Sequence, residues 1–480
     1  MASALNKTGY QYKEDGKFSN DEILNAINNF VTLRKNDTIL SNAHLDTVIK
    51  DGIIPLMKQC DPLFAKLYNS IMYGGSYYKG TKVEKPDEYD LNMIMLLPWV
   101  ESTLKFETPE KMPGFIKIQF TKDSKLQTWD TFQKRLDTLI SPNNYLDQNK
   151  FRELIESILS KSLQTLPDDP SFRKNGKILT VNNKRYSISV TKSGPAFTFA
   201  IKDPAQKEID VDLVPSVEFS TPPPKRYKGF KNQCKWSIIP KPLNEENGNL
   251  MWRVSFYREE KEILKGPMKT VIRLLKKLRN TQNMKNFSSY FIETIGLNEI
   301  RAKENDPNFM KLPITCIFMH MLEKLCEAAK NHKIPFYYNK DFNLLYKISP
   351  IEMKNHADRF AQIISKINQN ISTDPFIIAK YILTTVELND LKSVYLKSNA
   401  NSRDLKEITE KETIVKQTKK VDKETKSSIE NEQFHLLYNL ISSEAKKMNE
   451  MFSELKEELK NINTNMKILS EKVSELQAKL

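Results

Sequence analysis

The spacing of apolar residues predicts two helices in the N-terminal part of the chain. Residues 19–33 carry apolar side chains at intervals of three and four, behind a Ser-x-x-Glu capping box. A second pattern of this kind extends over about residues 41–72, where Pro55 and Pro62 are expected to bend or interrupt the helix. The double glycine at 74–75 ends it. We therefore expect a long N-terminal helix before the first strand.

Strict alternation of apolar and polar residues predicts strands after the glycines. Residues 88–95, EYDLNMIM, place Glu88 and Asp90 on one face and apolar side chains on the other. Residues 184–203 alternate as an antiparallel pair with a turn at a Gly-Pro step, and residues 207–219 alternate again. These segments predict a mixed sheet that carries several acids.

Helical spacing returns in the second half of the chain, most clearly in residues 266–280, 311–331 and 349–367. The predicted fold class is α+β, with a mixed-sheet lobe that includes the long N-terminal helix, a helical C-terminal lobe and a coiled-coil tail. The predicted organisation, in chain order, is a flexible N-terminus (1–18), a sheet-containing lobe (19–225), a helical lobe (226–400), a charged linker (401–433) and a coiled coil (434–480).

Apolar residues follow a strict four-three repeat near the C-terminus, with no polar residue among them. A repeat sustained over more than five heptads predicts a coiled coil and favours self-association into a homo-oligomer. The alternative is a single helix that folds back on the body of the protein. Residues 401–433 before it are charged, which is typical of a solvated linker. The repeat positions are Ile441, Ala445, Met448, Phe452, Leu455, Leu459, Ile462, Met466, Leu469, Val473, Leu476 and Leu480.

The net charge of +14 belongs entirely to the first 400 residues. Residues 401–480 contain 15 basic and 15 acidic residues, which leaves 59 of the 74 basic and 45 of the 60 acidic residues before them. A body this basic suggests a polyanionic partner, and nucleic acid is favoured over a membrane because no basic amphipathic helix with aromatic anchors stands out. An ordinary lysine-rich surface is the alternative.

The four cysteines are scattered, without a C-x-x-C pair or the His/Cys spacing of a zinc site. They indicate buried thiols in a reducing compartment rather than a disulfide framework. The N-terminus lacks the apolar run of a signal peptide, and no apolar stretch is long enough to span a bilayer. We therefore expect a soluble, cytoplasmic protein without a membrane partner.

Two carboxylates on one face of an otherwise apolar strand need a counter-charge, and a divalent cation would supply it. Glu88 and Asp90 form an i, i+2 pair, and Asp212 on a later strand fits as a third ligand. Three such acids suit two Mg²⁺ ions, with Mn²⁺ as a substitute, in nucleotidyl transfer. The backbone of Gly75-Ser76 and the Ser76 hydroxyl would then grip a triphosphate. The alternative is a solvated edge strand with two surface acids.

These motifs resemble those of the cyclic GMP–AMP synthase and Mab-21 family of nucleotidyltransferases. G-S followed by P-D-E-Y-D-L is similar to the family's phosphate loop and acidic strand, and E-I-D-V-D-L to its third-acid strand. The resemblance covers about residues 19–375 and implies a two-lobed nucleotidyltransferase fold that makes a cyclic dinucleotide from ATP and GTP in innate antiviral signalling. Three further blocks similar to the family, in its order, are LMWRVSFYREEKEIL (250–264), NFSSYFIET (286–294) and IPFYYNKDFNLL (334–345).

The resemblance also implies roles for single residues, with the three acids Glu88, Asp90 and Asp212 as catalytic metal ligands. The implied nucleotide contacts are Gly75, Ser76, Arg253, Glu260, Lys269, Ser288 and Tyr290. Among these, Arg253 would contact a base edge, Tyr290 would stack on a base, and Glu260 would contact adenine. Phosphate oxygens would be reached by Ser288 and Lys269.

Other interpretations of the same residues stay open. Tyr290 also suits a core position, and Lys269 a solvated helix face. The triad as a whole is compatible with an inactive Mab-21-like interaction protein that works through its coiled coil. A linear oligoadenylate-type synthetase would use the same triad and loop, but the W-R-V-S-F and N-F-S-S-Y blocks favour the cyclic product.

One departure from the vertebrate DNA sensor of this family concerns zinc. The His/Cys insertion of that sensor is missing, because Leu264 leads through Lys-Gly-Pro directly into the next predicted helix. The chain therefore resembles the insect-type cyclic GMP–AMP synthase-like receptors, which implies no zinc and double-stranded RNA as the activating ligand. Such a duplex is bound through phosphates and 2′-hydroxyls. The candidate contacts on the N-terminal helix are Arg34, Lys35, Lys50, Lys58 and Lys66.

Overall fold

Most strands of the protein join one large mixed sheet. The computed structural model describes residues 19–32, 42–83, 88–122, 124–125, 130–230, 235–306 and 308–395. The predicted N-terminal segment 1–18, the linker 401–433 and the coiled coil 434–480 lie outside these residues. The strands are β1 Tyr68–Tyr73, β2 Glu88–Met95, β3 Lys105–Glu107, β4 Phe115–Gln119, β5 Lys177–Val181, β6 Lys184–Ser193, β7 Ala196–Lys202, β8 Glu208–Phe219, β9 Trp236–Ile239, β10 Trp252–Ser255, β11 Pro335–Phe336 and β12 Asn339–Asn343.

Within the described ranges, the sheet order is β3-β4-β10-β9-β8-β7-β6-β5, and β2 adds to β8 as a parallel neighbour and to β1 as an antiparallel one. The register of the parallel pair sets Glu88 opposite Asp210 and Asp90 opposite Asp212. Because neighbouring strands lie about 4.8 Å apart, this register brings acids from distant parts of the chain side by side. Strands β11 and β12 form a separate hairpin.

Helices precede the sheet and fill the second half of the chain. A π-helix, Asp46–Ile53, leads into α2, and α8 to α11 carry the helical part that follows the sheet. The helices are α1 Ser19–Val31, α2 Ile54–Cys60, α3 Pro62–Leu67, α4 Gly75–Lys79, α5 Gln133–Asp137, α6 Gln148–Gln164, α7 Tyr257–Ile263, α8 Pro267–Thr281, α9 Ser289–Ala302, α10 Ile314–Lys330, α11 Pro350–Asn370 and α12 Ala379–Ile382, with 3₁₀ turns at Glu101–Thr103, Asp130–Phe132, Gly248–Leu250 and Phe309–Lys311.

The predicted α+β class is confirmed. The antiparallel pair predicted over residues 184–203 is β6 and β7, and the alternating segment 207–219 is β8. The three helices predicted in the second half are α8, α10 and α11. The described residues up to Leu391 belong to one compact unit. Strands β9 and β10 join the sheet, and the lobe boundary at residues 225 and 226 stays a prediction.

The helix predicted over residues 41–72 is wrong for its last part. The helical segment breaks at Asp61, whose Oδ1 accepts a hydrogen bond from the N–H of Phe64 at 3.1 Å, with Pro62 at the first position of α3. Residues Tyr68–Tyr73 form β1 instead of a helix. Pairing with β2 satisfies the backbone of this aromatic-rich segment, so the tertiary partner overrides the helical spacing of its apolar residues.

The alternation predicted in β2 is confirmed. Tyr89, Leu91 and Met93 are buried, whereas Glu88 and Asp90 on the opposite face are accessible. This strand is held on one side by β1 and on the other by β8. The central position of β2 therefore fixes where its two carboxylates lie.

Candidate active site

The glycine loop lies directly on the acidic strand. Gly75 begins α4 with a positive φ of 65°, and a Cβ atom there would be 1.7 Å from Oδ2 of Asp90. Only glycine fits both constraints. The N–H of Gly74 donates to the backbone oxygen of Asp90 at 2.7 Å, and the backbone oxygen of Ser76 accepts from the N–H of Thr81 at 2.9 Å. The loop is thus fixed at both ends.

Asp90 and Asp212 lie side by side on β2 and β8. The hydroxyl of Thr198 donates to Oδ1 of Asp212 at 2.6 Å and orients that carboxylate. Asp90 lies on a cavity wall, where solvent reaches it but protein surrounds it. This burial raises the pKa of Asp90, the charge of Asp212 raises it further, and Lys82 offsets part of the effect. A cation at this place would relieve the repulsion between the two carboxylates.

Glu88, the third predicted metal ligand, lies two residues before Asp90 on β2, and its charge also raises the pKa of Asp90. Its side chain is 80% exposed, and its carboxylate is 3.8 Å from the ammonium group of Lys82. Asp210, its neighbour across the strands, pairs with Arg173 at 3.3 Å. Among the described residues, no group of three or more His, Cys, Asp or Glu side chains is arranged to hold a metal ion. The carboxylate oxygens of Asp90 and Asp212 nevertheless suit a hard cation such as Mg²⁺ or Mn²⁺.

A cavity of about 490 Å³ adjoins Asp90. Its volume lies in the range of pockets that hold nucleotide-sized ligands. Ser76, Glu88, Asp212 and Lys269 are not part of its wall. The predicted site residues that line it are Gly75, Asp90, Arg253, Glu260, Ser288 and Tyr290.

Arg253, on β10, is held by aromatic rings of the β11–β12 hairpin. Its guanidinium carbon lies 4.6 Å from the ring centroid of Phe336 and 5.0 Å from that of Phe342. One of its terminal nitrogens donates to the backbone oxygen of Gly114 at 3.0 Å. Cation–π contacts and this hydrogen bond fix the plane of the guanidinium, so its remaining N–H groups have a defined direction.

Tyr290 and Glu260 belong to a buried ionic network. The hydroxyl of Tyr290 donates to Oε1 of Glu260 at 2.8 Å, and Oε2 of Glu260 lies 2.6 Å from the ammonium group of Lys79. Lys79 also pairs with Glu293 at 3.0 Å, and Lys276 pairs with Glu293 at 2.5 Å. These four charged side chains are at most 5% exposed. Two carboxylates and two ammonium groups thus compensate each other.

The pKa shifts of Lys79 and Glu293 follow from their pairing, whereas burial lowers the pKa of Lys276. Burial by itself lowers the pKa of Lys79, but Glu260 and Glu293 outweigh that effect and hold the pKa well above its ordinary value. Burial raises the pKa of Glu293, but Lys79 and Lys276 lower it to about 2. Both groups are therefore charged at neutral pH.

Ser288 and Lys269 differ in their access to the cavity. The side chain of Ser288 caps α9 by accepting a hydrogen bond from the N–H of Tyr290 at 3.2 Å, and it lines the cavity. Lys269 lies at the start of α8, where burial and the nearby charges of Lys261 and Arg273 lower its pKa. Lys269 does not line the cavity. Its ammonium nitrogen lies near Gly80, just after α4, where a Cβ atom would be 3.7 Å away.

Several residues that line the cavity were not predicted from the sequence, among them Lys79, Lys241, Lys347 and Tyr257. Burial lowers the pKa of Lys241, and the charges of Arg253 and Lys347 lower it further. A lysine that follows the apolar end of β9 after a single proline, Pro240, was a usable signal for Lys241. Lys347 offered none, because it lies in an irregular segment between a hairpin and a helix.

The predicted nucleic-acid contacts are only partly described. Lys58 and Lys66 are exposed and lie over the rings of Tyr68 and Phe132, at 4.3 and 5.7 Å. Lys50 instead pairs with Asp46 at 2.9 Å and donates to a tyrosine hydroxyl. Arg34 and Lys35 lie outside the described residues.

A loop of glycines packed on an acidic strand, next to a cavity of nucleotide size, is the arrangement that nucleotidyl transfer requires. Comparison with known families agrees with this class of protein. Residues 77–266 match the Mab-21 protein nucleotidyltransferase domain, and residues 267–362 match the Mab-21 protein HhH/H2TH-like domain. The boundary between the two matches falls at the start of α8.

Curated relatives match over almost the whole chain. A protein of Trichogramma pretiosum named "Cyclic GMP-AMP synthase-like receptor" is 34% identical over 460 residues, which cover 93% of each chain. One of the same name from Microplitis demolitor is 34% identical over 462 residues, covering 94% of this chain and 85% of the relative. One from Aethina tumida is 31% identical and covers 76% and 92%. The similarity thus extends beyond residues 19–375, to which the motifs had traced it.

The chain therefore belongs to the Mab-21 nucleotidyltransferase family, in the branch of the cyclic GMP-AMP synthase-like receptors. It is a nucleotidyltransferase, as the acidic strand and glycine loop had predicted. Across the described residues, none of the helices is both long and apolar enough to cross a membrane.

Proposed function

We propose that this protein is a synthase, switched on by nucleic acid, that joins ATP and GTP into a cyclic dinucleotide of the cyclic GMP–AMP type in innate antiviral signalling. The names of relatives similar over more than 90% of the chain support this proposal. The observation that carries it is the in-register pair Asp90 and Asp212, of which Asp90 packs against the glycine loop and lines the cavity.

The reaction would begin with the acids of β2 and β8. Asp90 and Asp212, joined by Glu88, would hold Mg²⁺ or Mn²⁺, which stabilises charge on the reacting phosphate and lowers the pKa of the attacking ribose hydroxyl. Thr198 keeps the Asp212 carboxylate in one orientation. The backbone N–H groups of Gly75 and Ser76 would bind the triphosphate. Gly75 can lie this close to the strand only because it has no side chain.

The other predicted contacts would orient the two nucleotides. Tyr290 would stack on a base, Arg253 would present its fixed N–H groups to a base edge, and Glu260 would accept from adenine. Ser288 and Lys269 would contact phosphate oxygens. Since the cavity holds aromatic and cationic side chains together, it is suited to the mixed apolar and anionic surface of a nucleotide.

A direct assay tests the proposal and its alternatives. The full-length protein is incubated with Mg²⁺, labelled ATP and GTP, and a panel of single- and double-stranded RNA and DNA. We expect a cyclic dinucleotide that requires both nucleotides, the metal and double-stranded RNA. Linear oligoadenylate from ATP alone would identify an oligoadenylate-type synthetase. Absence of every product with all of these ligands would favour an interaction protein without activity.

The activating ligand is proposed to be double-stranded RNA, bound by basic residues of the N-terminal part. The charge excess of the first 400 residues and the exposure of Lys58 and Lys66 support a phosphate contact. Arg34 and Lys35 complete the proposed surface, whereas Lys50 would have to exchange its partner Asp46 for a phosphate.

Salt dependence tests this surface. Neutralising several phosphates releases counterions, so the affinity for a blunt RNA duplex should fall steeply between low and physiological salt. Sequence changes in the duplex should matter little, because an A-form helix is read by its shape and backbone. Binding that does not change with salt would contradict the proposed surface.

Residues 434–480 are proposed to pair with a second copy as a coiled coil, tethering two cytoplasmic catalytic bodies through the 401–433 linker. Tethering raises the effective concentration of the second body on one duplex. Removal of residues 434–480 should yield a monomer that reaches the same maximal rate but needs more RNA for half-activation. An oligomer that persists after the truncation would contradict this role.

A further inference from the structure

Lys79 joins two parts of the site that come from distant segments of the chain. It is the last residue of α4, whose first residue is Gly75 of the glycine loop. Its ammonium group contacts Glu260 on α7 and Glu293 on α9. Through these contacts the phosphate side of the cavity is tied to the side that carries the predicted base contacts.

Glu260 links Lys79 to Tyr290, the residue predicted to stack on a base. Glu260 uses one carboxylate oxygen for Lys79 and the other for the hydroxyl of Tyr290. The ammonium group also lies 5.3 and 5.5 Å from the ring centroids of Tyr257 and Tyr290. Lys79, Glu260 and both tyrosines line the cavity. The position of the Tyr290 ring relative to the glycine loop therefore depends on a chain of two short contacts.

A buried ammonium group holds its partners in place because it is costly to leave any of them unpaired. Transfer of such a charge into the protein interior costs several kcal/mol, which is offset only while good pairing geometry is kept. Lys79 and Glu260 are each 5% exposed. A displacement of α4 relative to α7 would separate these two nearly buried charges and lose their pairing. The network thus resists relative movement of the two sides.

We propose that Lys79 is a positioning residue, which sets the distance between the triphosphate loop and the base-binding side of the nucleotide site. This role rests on the proposed function of the cavity as a nucleotide site. Lys79 acts through Glu260 and Tyr290 rather than by contact with the reacting atoms. Its loss should let the two halves of the site drift apart, so that a nucleotide bound to one half is no longer held by the other.

Lys276 offers a matched control. It is as deeply buried as Lys79 and pairs with the same Glu293, at 2.5 Å, while its other hydrogen bond goes to Thr81. It neither contacts Glu260 nor lines the cavity. Lys79→Met and Lys276→Met each remove one buried ammonium group from this network, and both should lower the melting temperature.

Only Lys79→Met should disturb nucleotide binding. The measurement is titration calorimetry of the full-length variants with Mg²⁺ and non-hydrolysable ATP and GTP analogues, which needs no activating ligand. We expect a loss of affinity on the order of tenfold or more for Lys79→Met, and less than about twofold for Lys276→Met because it lies outside the chain of contacts. Equal effects of the two variants would overturn the positioning role.

Tyr290→Phe provides a milder test if Lys79→Met does not fold. It keeps the ring for stacking but removes the hydroxyl that donates to Glu260, and no buried charge is left unpaired. We expect the KM for nucleotide to rise several-fold and the melting temperature to fall by only a few degrees, on the scale of one lost hydrogen bond. An unchanged KM would contradict the proposal. A wild-type protein that binds neither analogue, with or without double-stranded RNA present, would instead refute the proposed function itself.

Discussion

Gly75 and Asp90 are packed so tightly that a Cβ atom on Gly75 would lie 1.7 Å from the Oδ2 atom of Asp90. This contact couples the glycine loop to the acidic strand. The loop cannot carry any side chain at this position without moving the carboxylate, which is itself a predicted metal ligand.

Gly75→Ala should therefore abolish nucleotidyl transfer and lower stability. The new methyl group must displace the carboxylate, and alanine is strained at a φ of 65°. Gly194→Ala is the matched control, because Gly194 also has a positive φ of 53° but has nothing within 4 Å of the place that a Cβ atom would occupy. The control should cost about 1–2 kcal/mol of stability from backbone strain and keep full activity. Activity that survives in Gly75→Ala would refute the coupling.

Asp90→Asn should remove activity while making the free protein slightly more stable at neutral pH. Asparagine retains the shape of the side chain, but it no longer repels Asp212 and no longer binds a divalent cation well. Product formation and melting temperature are measured on the same preparation. Asp210→Asn serves as the control, since Asp210 pairs with Arg173 and should be dispensable for turnover. A destabilised Asp90→Asn variant would contradict the proposed repulsion.

The raised pKa of Asp90 predicts a specific pH dependence. The folded state binds this proton more tightly than the unfolded chain, whose aspartate has the ordinary value of 3.8. The group therefore favours folding at pH below 3.8, and this contribution is lost as the pH rises through the folded pKa. The gain in melting temperature of Asp90→Asn over the wild type should be greatest at neutral pH and should shrink as the pH falls towards 3.8. A difference that does not vary with pH would contradict the shift.

Tyr338→Phe should leave stability unchanged or raise it by up to about 1 kcal/mol, because removing a buried hydroxyl without a partner relieves a desolvation cost. Among the described residues this hydroxyl has no hydrogen-bond partner, and the ring packs on Phe256 with a centroid distance of 4.1 Å. Tyr227→Phe is the comparison, since the hydroxyl of Tyr227 donates to the backbone oxygen of Phe115 at 3.2 Å. That variant should lose about 1 kcal/mol. Urea denaturation of both variants checks the difference.

The acidic strand shows what the sequence predicts well. A period of two along residues 88–95 is sufficient to separate the carboxylate face from the apolar face, because each strand residue points opposite to its neighbour. The same period places Asp210 and Asp212 together on one face of β8, and only the resemblance to the family's third-acid strand favoured Asp212, which the parallel register sets next to Asp90. Local periodicity thus predicts faces and candidate ligands.

Residues whose state depends on distant partners were beyond this reasoning. Strand β1 has apolar residues at helical spacing and becomes a strand only because β2 pairs with it. In the sequence, Lys79 is indistinguishable from an exposed lysine after the glycine loop. Its burial is explained only by Glu260 and Glu293, which come from two later helices. Neither fact has a signal within its own segment of the sequence.

The parallel pairing of β2 with β8 has a consequence for how the protein is made. A ribosome completes β2 long before it reaches β8, and strands β3 to β7 are synthesised between them. Pairings between remote segments form slowly because the intervening loop must first be closed. The acid pair is therefore assembled late in folding. A nascent chain that ends before residue 219 lacks the complete partner strand, so catalytic competence is acquired only after most of the sheet has been synthesised.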